Sequence, residues 1–214
     1  RIDYNTLKRY CEGVICTSAC LSGDIPQFLL SGRKEEAYAL ARELKELFGE
    51  DFYIELQDHS LIEQKRLNPL LIQLAKDLEI ELIATNDSHY VKKEDARAQD
   101  ILMCLQMGRT LSEGGLFETD EFYIKSEEEM RALFQNVPEA IENTQKIADK
   151  CNVTIELGKL HLPAYEVPAG YTNASYLEEK ARLGMAERYG ADYSAHEERL
   201  RYELQTINKM GFTD

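Results

Sequence analysis

The sequence predicts an α/β fold followed by a mainly helical C-terminal segment. From Gly13 to about Met107, short apolar runs alternate with amphipathic helical patterns. Alternation at this spacing is typical of right-handed β–α–β units, which form a parallel sheet or barrel. From about Ser126 onward the pattern is helical. We therefore expect an α/β body first and helices after it.

Three strands and three helices are expected in the α/β part. The strand patterns are "GVICTS", "DFYIELQ" and "IELIATN", which are short and rich in branched and aromatic residues. The helical pattern from Lys34 to Phe48 is strongly periodic and ends at Gly49. A second helix is expected from Leu61 to Leu78 with a kink or local break at Pro69, and a third from Lys93 to Met107.

The C-terminal part predicts four helices. Ser126 is the expected N-cap of the first, with Glu129 completing a capping box, and Pro138 separates it from the second. The last two are expected over Asn173 to Tyr189 and about Ala195 to Met210.

The Pro-, Gly- and Tyr-containing connector "LHLPAYEVPAGYT" predicts a domain boundary, which divides the chain into 1–165 and 166–214. The chain opens on Arg1 without a Met and closes on the apolar "KMGFTD". We expect it to be a piece of a longer protein.

Composition limits the function classes. The 214 residues are 43% hydrophobic, enough for a sizeable core, and 25 basic against 39 acidic residues give a net charge of −14. A surface this acidic repels phosphate backbones, so the chain by itself is not expected to grip nucleic acid. No signal peptide and no run of 18 apolar residues is present, which predicts a soluble cytoplasmic protein without a membrane partner.

Several motif classes are absent from the sequence. Five cysteines, an odd number without zinc-ribbon spacing, predict reduced thiols. The sequence has neither a G-x-S-x-G elbow nor a phosphate-binding P-loop. The acidic stretch from Glu113 to Glu129 is expected to be a solvated rim.

Asp87 and His89 follow the third predicted strand, two residues apart. If the chain stays extended there, both side chains project to one side. Active sites of parallel α/β folds lie at the carboxyl ends of the strands. A carboxylate beside an imidazole suits a divalent metal such as zinc or manganese. The pair is therefore a candidate metal site.

Other candidates come from neighbouring strand ends. Glu55, Gln57 and His59 share one face of the second strand, so His59 is expected to converge with Asp87 and His89. Cys20, just after the first strand, is a further candidate ligand, whereas Glu55 is expected to orient a ligand without binding metal. The alternatives are that each histidine is a hydrogen-bonded structural residue and that Cys20 is a small buried apolar residue.

Long stretches of the chain resemble a known family. The stretches "EGVICTSACLSGDIPQ", "GEDFYIELQDHSLIEQKRLN", "LIATNDSHYVKKEDARAQDILMCLQMGRTL" and "ELGKLHLPAYEVPAG" resemble bacterial replicative DNA polymerase III alpha subunits. They are similar to the later portion of the polymerase-and-histidinol-phosphatase (PHP) domain of that family. The closing "RYELQTINKMGFTD" resembles the segment that leads into the family's palm. The resemblance implies a partial PHP-type distorted (β/α) barrel with divalent metals at one end of its strands.

The resemblance also assigns metal ligands. The family's D-x-H element matches Asp87 and His89, the histidine that closes "LQDH" matches His59, and the cysteine of "CLSG" matches Cys20. Further ligands of the family, including an H-x-H element, are expected upstream of Arg1. We therefore expect this chain alone to bind metal weakly.

For the parent protein, the resemblance implies a DNA-directed DNA polymerase. It would extend a DNA primer with dNTPs by phosphoryl transfer with magnesium, on aspartates expected downstream of Asp214, so this chain alone should not polymerise DNA. The implied partners are the sliding clamp and the clamp loader. The PHP region would be a 3′–5′ proofreading nuclease or a platform for a separate proofreading subunit.

Two rival functions stay open at this point. One is a free-standing PHP-family phosphoesterase, which gives no reason for the chain to continue into "RYELQTINKMGFTD". The other is a non-catalytic interaction platform, which an intact upstream H-x-H element would disfavour.

Overall fold

A computed structural model describes residues 2–113, 117–159 and 163–213 of the chain. The chain divides into two compact units, Arg1–Asn152 and Val153–Asp214. The first unit is mixed α/β and the second is helical. The predicted fold class, α/β with a parallel sheet followed by a helical segment, is confirmed. The predicted functional boundary at residues 165 and 166 stays a prediction.

The first unit contains a small sheet surrounded by helices. Single turns of 3-10 helix cover Gly49–Asp51, Lys93–Asp95 and Leu111–Glu113. Its regular elements are α1 Tyr4–Arg9, β1 Cys16–Thr17, α2 Asp24–Leu30, α3 Lys34–Phe48, β2 Phe52–Leu56, α4 Ile62–Leu78, β3 Glu81–Ala84, α5 Ala96–Met107, α6 Glu127–Leu133 and α7 Pro138–Lys150.

The sheet is parallel in the order β1-β2-β3. Cys16 pairs with Phe52, and the β2–β3 register runs from Tyr53 opposite Glu81 to Leu56 opposite Ala84. The predicted first strand is present but only two residues long. Because the strands are parallel and in register, the segments that follow β2 and β3 leave the sheet at one edge.

The central strand β2 is buried on both faces, as is usual for parallel sheets covered by helices. Its buried side chains alternate between the main apolar core and the opposite face, where Tyr53 is fully buried. The main core contains Phe52, Ile54 and Leu56 from β2, Ala41 and Leu44 from α3, and Leu71 and Leu74 from α4.

Helices α3 and α4 are also joined by polar contacts. The hydroxyl of Tyr38 donates to Asp77 Oδ2 at 2.6 Å. Lys45 Nζ donates to the carbonyl of Leu78 at 2.6 Å, where the last carbonyls of α4 lack helical partners. These bonds fix the two helices against each other at the end of α4.

Helix α4 runs without a break from Ile62 to Leu78 with Pro69 inside it, so the predicted local break is wrong. A proline in a helix interior removes one backbone hydrogen bond. Packing on both sides of the proline holds the helix together: Leu67 and Leu71 are buried in the core, and Asn68 Nδ2 donates to the carbonyl of Gln57 at 3.0 Å.

Helices α6 and α7 follow the predicted sequence signals. Ser126 caps α6 and forms the capping box with Glu129, and Pro138 occupies the first turn of α7. Helix α7 packs on the outer strand β3, where the buried Asn143 donates from Nδ2 to the carbonyl of Leu82 at 2.7 Å. This bond satisfies a carbonyl of the edge strand.

The second unit contains α8 Asn173–Tyr189, a 3-10 segment Gly190–His196 and α9 Glu197–Met210, which confirms both predicted helices. Arg182 of α8 pairs with Glu178 at 2.9 Å and with Glu197 of α9 at 3.0 Å. In the described part of the chain, no helix combines the length and apolar character needed to cross a membrane.

Candidate metal centre

The candidate site is built by the two segments that follow β2 and β3. The β2–β3 pairing extends one step beyond the strands, because Thr85 N donates to the carbonyl of Leu56 at 3.0 Å. His59 then lies on the segment after β2, and Asp87 and His89 lie on the segment after β3. The sheet thus brings the two segments to the same edge.

The side chains of Asp87 and His89 lie close together, although the backbone between them is not extended. Asp87 has a backbone φ of 44°, in the left-handed region, so the chain does not stay extended at this residue. The turn still brings Asp87 Oδ1 within 3.6 Å of His89 Nε2. Their side chains are 38% and 39% exposed, so both donor groups are open to solvent. His89 N donates to the carbonyl of Phe122 at 2.8 Å, which anchors the end of the turn.

His59 is buried, with an exposed fraction of only 1%. Its Nε2 lies 2.7 Å from the carbonyl oxygen of Asn86, and its Nδ1 lies 2.8 Å from Gln64 Nε2. Burial lowers the pKa of His59, and the positive charge of Lys125 lowers it further against the opposing bond to Asn86. The imidazole is therefore kept neutral, with both nitrogens in hydrogen bonds.

Phe122 joins the two histidines. Its ring stacks on His59 with centroids 4.0 Å apart and meets His89 edge-on at 5.4 Å. Phe117 packs against both Phe122 and His89, at 4.5 Å and 4.9 Å. The ring of Phe122 therefore contacts both His59 and His89, and Asp87 lies beside His89.

The segment that carries Phe122 belongs to the stretch expected to be a solvated rim, and for its central part that expectation is wrong. Phe122 and Lys125 are only 8% and 9% exposed. Tyr123 pairs with Tyr90 as a parallel bridge, and its carbonyl accepts from Asn86 Nδ2 at 2.7 Å. Phe122 is therefore a buried aromatic residue within an acidic stretch of the chain.

Glu55 takes part in a separate hydrogen-bond network. Its carboxylate accepts from Thr17 Oγ1 at 2.6 Å, from Gln57 Nε2 at 2.8 Å, and from the Thr85 hydroxyl. These hydrogen bonds tie all three strands together near their carboxyl ends. The prediction that Glu55 orients a metal ligand stays a prediction. Its hydrogen bond from Thr85, two residues before Asp87, is the contact through which it could do so.

Cys20 is half-buried in the loop after β1, where its carbonyl accepts from Gly23 N at 2.8 Å. The order β1-β2-β3 puts β2 between this loop and the segment that carries Asp87. Two strand spacings correspond to about 10 Å. At the strand ends the two segments are separated by β2, and among the described residues Cys20 forms no group of three potential metal ligands with Asp87 and His89.

The donor set fits part of a metal shell. A carboxylate and an imidazole are suitable donors for zinc or manganese, and Asp87 and His89 present both. Among the described residues, no three His, Cys, Asp or Glu side chains lie close enough together to hold a metal ion. In the same residues, no buried side-chain nitrogen or oxygen is left without a hydrogen-bond partner. Asp87 and His89 therefore supply two donors, and zinc needs about four.

The sequence reasoning missed Gln64, Phe122 and Asn86. Gln64 gave one usable signal, because it shares a helical face with Leu67 and Leu71 and is a polar residue among apolar ones. Phe122 lacked such a signal within its acidic surroundings.

The first part of the chain matches a known domain family. Residues 1–59 match the family described as "PHP domain". The match ends at His59 and does not include Asp87 or His89.

Curated relatives extend the similarity to the whole chain. The chain is 43% identical over 99% of its length to "DNA polymerase III subunit alpha" of Treponema pallidum, and 44% identical over 99% to the protein of that name from Borreliella burgdorferi. It is 41% identical over 88% of its length to the Thermus aquaticus protein of that name. The resemblance to bacterial DNA polymerase III alpha subunits is confirmed. The chain spans 18%, 19% and 16% of the lengths of these three relatives.

Proposed function

We propose that the chain is part of a replicative DNA polymerase of the DNA polymerase III alpha type. The observation that carries the proposal is 43–44% identity over 99% of the chain to two curated alpha subunits. Because this similarity continues through α8 and α9, it supports a polymerase over a free-standing PHP-family phosphoesterase. The whole protein would extend a DNA primer with dNTPs, using magnesium at a polymerase site outside this chain.

The same proposal extends to partners and location. DNA, a sliding clamp, a clamp loader and a proofreading subunit would be partners of the whole protein, in the cytoplasm. The net charge of −14 supports a DNA-binding surface that lies in another part of the whole protein.

Primer extension tests the polymerase proposal. The full polypeptide that contains this chain should extend a labelled primer on a DNA template in the presence of dNTPs and magnesium. The 214-residue chain alone serves as the matched control and should not extend the primer. A full polypeptide without any template-directed extension would contradict the proposal.

For the PHP region we propose a divalent metal, zinc or manganese, held in part by Asp87 and His89. Their mutual distance of 3.6 Å and their exposure support this assignment. When bound, such a metal supplies a water of lowered pKa, the chemistry that phosphodiester cleavage by a proofreading nuclease requires. The predictions for Cys20 and His59 as ligands stay predictions, and His59 has both ring nitrogens in hydrogen bonds.

Equilibrium dialysis against Zn²⁺ and against Mn²⁺ tests the metal site in the full polypeptide. Asp87→Asn and His89→Gln should each weaken metal binding at least tenfold. His196→Gln changes a histidine of the second unit and should leave binding unchanged. Equal binding by all four proteins would contradict the assignment.

An interaction platform is the second candidate function. The observation in its favour is that no three potential metal ligands lie together within the described residues. On this alternative the full polypeptide binds no stoichiometric metal in the dialysis experiment and still extends primers.

A further inference from the structure

The orientation of the Gln64 side chain is fixed by the backbone of His59. The backbone amide of His59 can only donate, and it lies 2.7 Å from Gln64 Oε1. The other end of the same amide group, Gln64 Nε2, therefore points to His59 Nδ1 at 2.8 Å. Gln64 is 3% exposed, so water does not compete for either bond.

This orientation determines which nitrogen of His59 carries the proton. Gln64 Nε2 can only donate, so Nδ1 accepts and is unprotonated in the neutral ring. The proton is then on Nε2, which donates to the carbonyl of Asn86 at 2.7 Å. A histidine binds a metal through the lone pair of a neutral nitrogen, and here the Nδ1 lone pair is occupied by Gln64. His59 has no free donor for a metal in this arrangement.

What His59 does contact is the turn that presents Asp87. Its Nε2–H holds the carbonyl of Asn86, the residue immediately before Asp87. The side chain of Asn86 is held as well, since its Nδ2 donates to the carbonyl of Tyr123 at 2.7 Å. Asp87 itself has a φ of 44°, in the left-handed region, which aspartate adopts more readily than most residues other than glycine.

We propose that His59 is a positioning residue that holds the Asn86–Asp87 peptide, so that the carboxylate of Asp87 faces His89. Asp87 and His89 would hold a bound metal, and His59 acts on them only through its hydrogen bond to the carbonyl of Asn86. The effect of His59 on metal binding rests on the proposed function. The hydrogen bonds that define its positioning role are independent of that function.

Nitrogen-15 NMR of the histidine rings in the 214-residue chain tests the inference without any variant. His59 should show the Nε2–H tautomer in the metal-free protein. On titration with Zn²⁺, the ring nitrogens of His89 should shift, whereas those of His59 should keep the same tautomer and shift little. A His59 protonated on Nδ1, or a zinc-induced shift of a His59 nitrogen as large as that of His89, would overturn the proposal.

Two substitutions separate positioning from ligation. His59→Gln places an amide N–H near the position of Nε2 and can still donate to Asn86, whereas His59→Phe keeps the ring stack and loses the donor. Zinc affinity should stay within about threefold in His59→Gln and fall about 10- to 100-fold in His59→Phe, the usual effect of losing a group that orients a ligand. Equal losses in both variants, matching the loss in His89→Gln, would show that His59 ligates.

If the wild-type chain binds no zinc, the metal-site proposal is contradicted, but the positioning role of His59 can still be tested. The tautomer of His59 and the backbone amide resonances of Asp87 and Ser88 then decide it. Those resonances should be retained in His59→Gln and displaced in His59→Phe. Unchanged resonances in His59→Phe would overturn the inference.

Discussion

Replacement of Phe122 by alanine should destabilise the first unit and remove the ring contacts of His59 and His89 with Phe122. The Phe122 ring is 8% exposed, stacks on His59 at 4.0 Å and meets His89 at 5.4 Å. Removing it opens a cavity beside a buried imidazole and removes one of the contacts that join the two strand-end segments, alongside the bond from His59 to Asn86.

The expected cost follows from the burial of the ring. Replacing a buried phenylalanine by alanine costs about 3–5 kcal/mol, and an aromatic pair adds about 0.5–1.5 kcal/mol beyond its buried area. Phe122 lies on a connecting segment that can partly collapse into the space, so we expect about 3 kcal/mol, at the low end. Phe117→Ala is the matched control, and because that ring is only half-buried it should cost about 1 kcal/mol.

Amide hydrogen exchange is the suitable assay, because a chain of two compact units need not unfold in one step. The backbone amides of β2, such as that of Ile54, are the amides of the first unit that best report its global opening. Loss of about 3 kcal/mol should accelerate their exchange roughly a hundredfold.

Acceleration below about tenfold, or equal acceleration in Phe117→Ala, would refute the argument that Phe122 anchors the segment. Unchanged ring nitrogen signals of His59 and His89 in Phe122→Ala would refute the claim that the ring joins them.

Three further predictions concern the packing around the sheet. Tyr38→Phe should lower the free energy of unfolding by about 1 kcal/mol, the usual net worth of a hydrogen bond. The Tyr38 bond lowers the pKa of Asp77, so its stabilisation is present above the ordinary carboxyl pKa and is lost as pH falls through the lowered value. Exchange of the β2 amides at neutral and acidic pH should therefore show a smaller loss of stability on acidification in Tyr38→Phe than in the wild type. Asn143→Ala should cost about 1–3 kcal/mol by leaving the carbonyl of Leu82 unsatisfied, and a cost below about 0.5 kcal/mol would contradict the role of that bond. Pro69→Ala should raise the unfolding free energy by about 1 kcal/mol or more by restoring a helical hydrogen bond, and a lower value would contradict this expectation.

The sequence predicted the parts of the fold that depend on local patterns. Strands β2 and β3 were predictable from short apolar runs, and the cap of α6 from the Ser126–Glu129 spacing. The break at Pro69 was predicted wrongly because local propensity does not include the buried contacts of Leu67 and Leu71. Tertiary packing outweighed a local signal there.

For the candidate site, the sequence predicted which residues approach each other but not how. His59, Asp87 and His89 do gather at one edge of the sheet, because parallel strands end there. Their roles depend on contacts from far along the chain: the ring of Phe122 and the amide of Gln64 decide which nitrogens are free. Such nonlocal contacts leave no spacing pattern in the sequence.

The most direct test of the metal-centre account is the zinc X-ray absorption spectrum of the full polypeptide, recorded for the wild type, His89→Gln and His59→Gln. Zn–N and Zn–O distances of about 2.0–2.2 Å differ from Zn–S distances of about 2.3 Å, so the spectrum also tests Cys20. The account predicts bound zinc that loses one imidazole in His89→Gln and keeps its ligands in His59→Gln. A wild type that binds neither zinc nor manganese, or loss of an imidazole from zinc in His59→Gln, would contradict it.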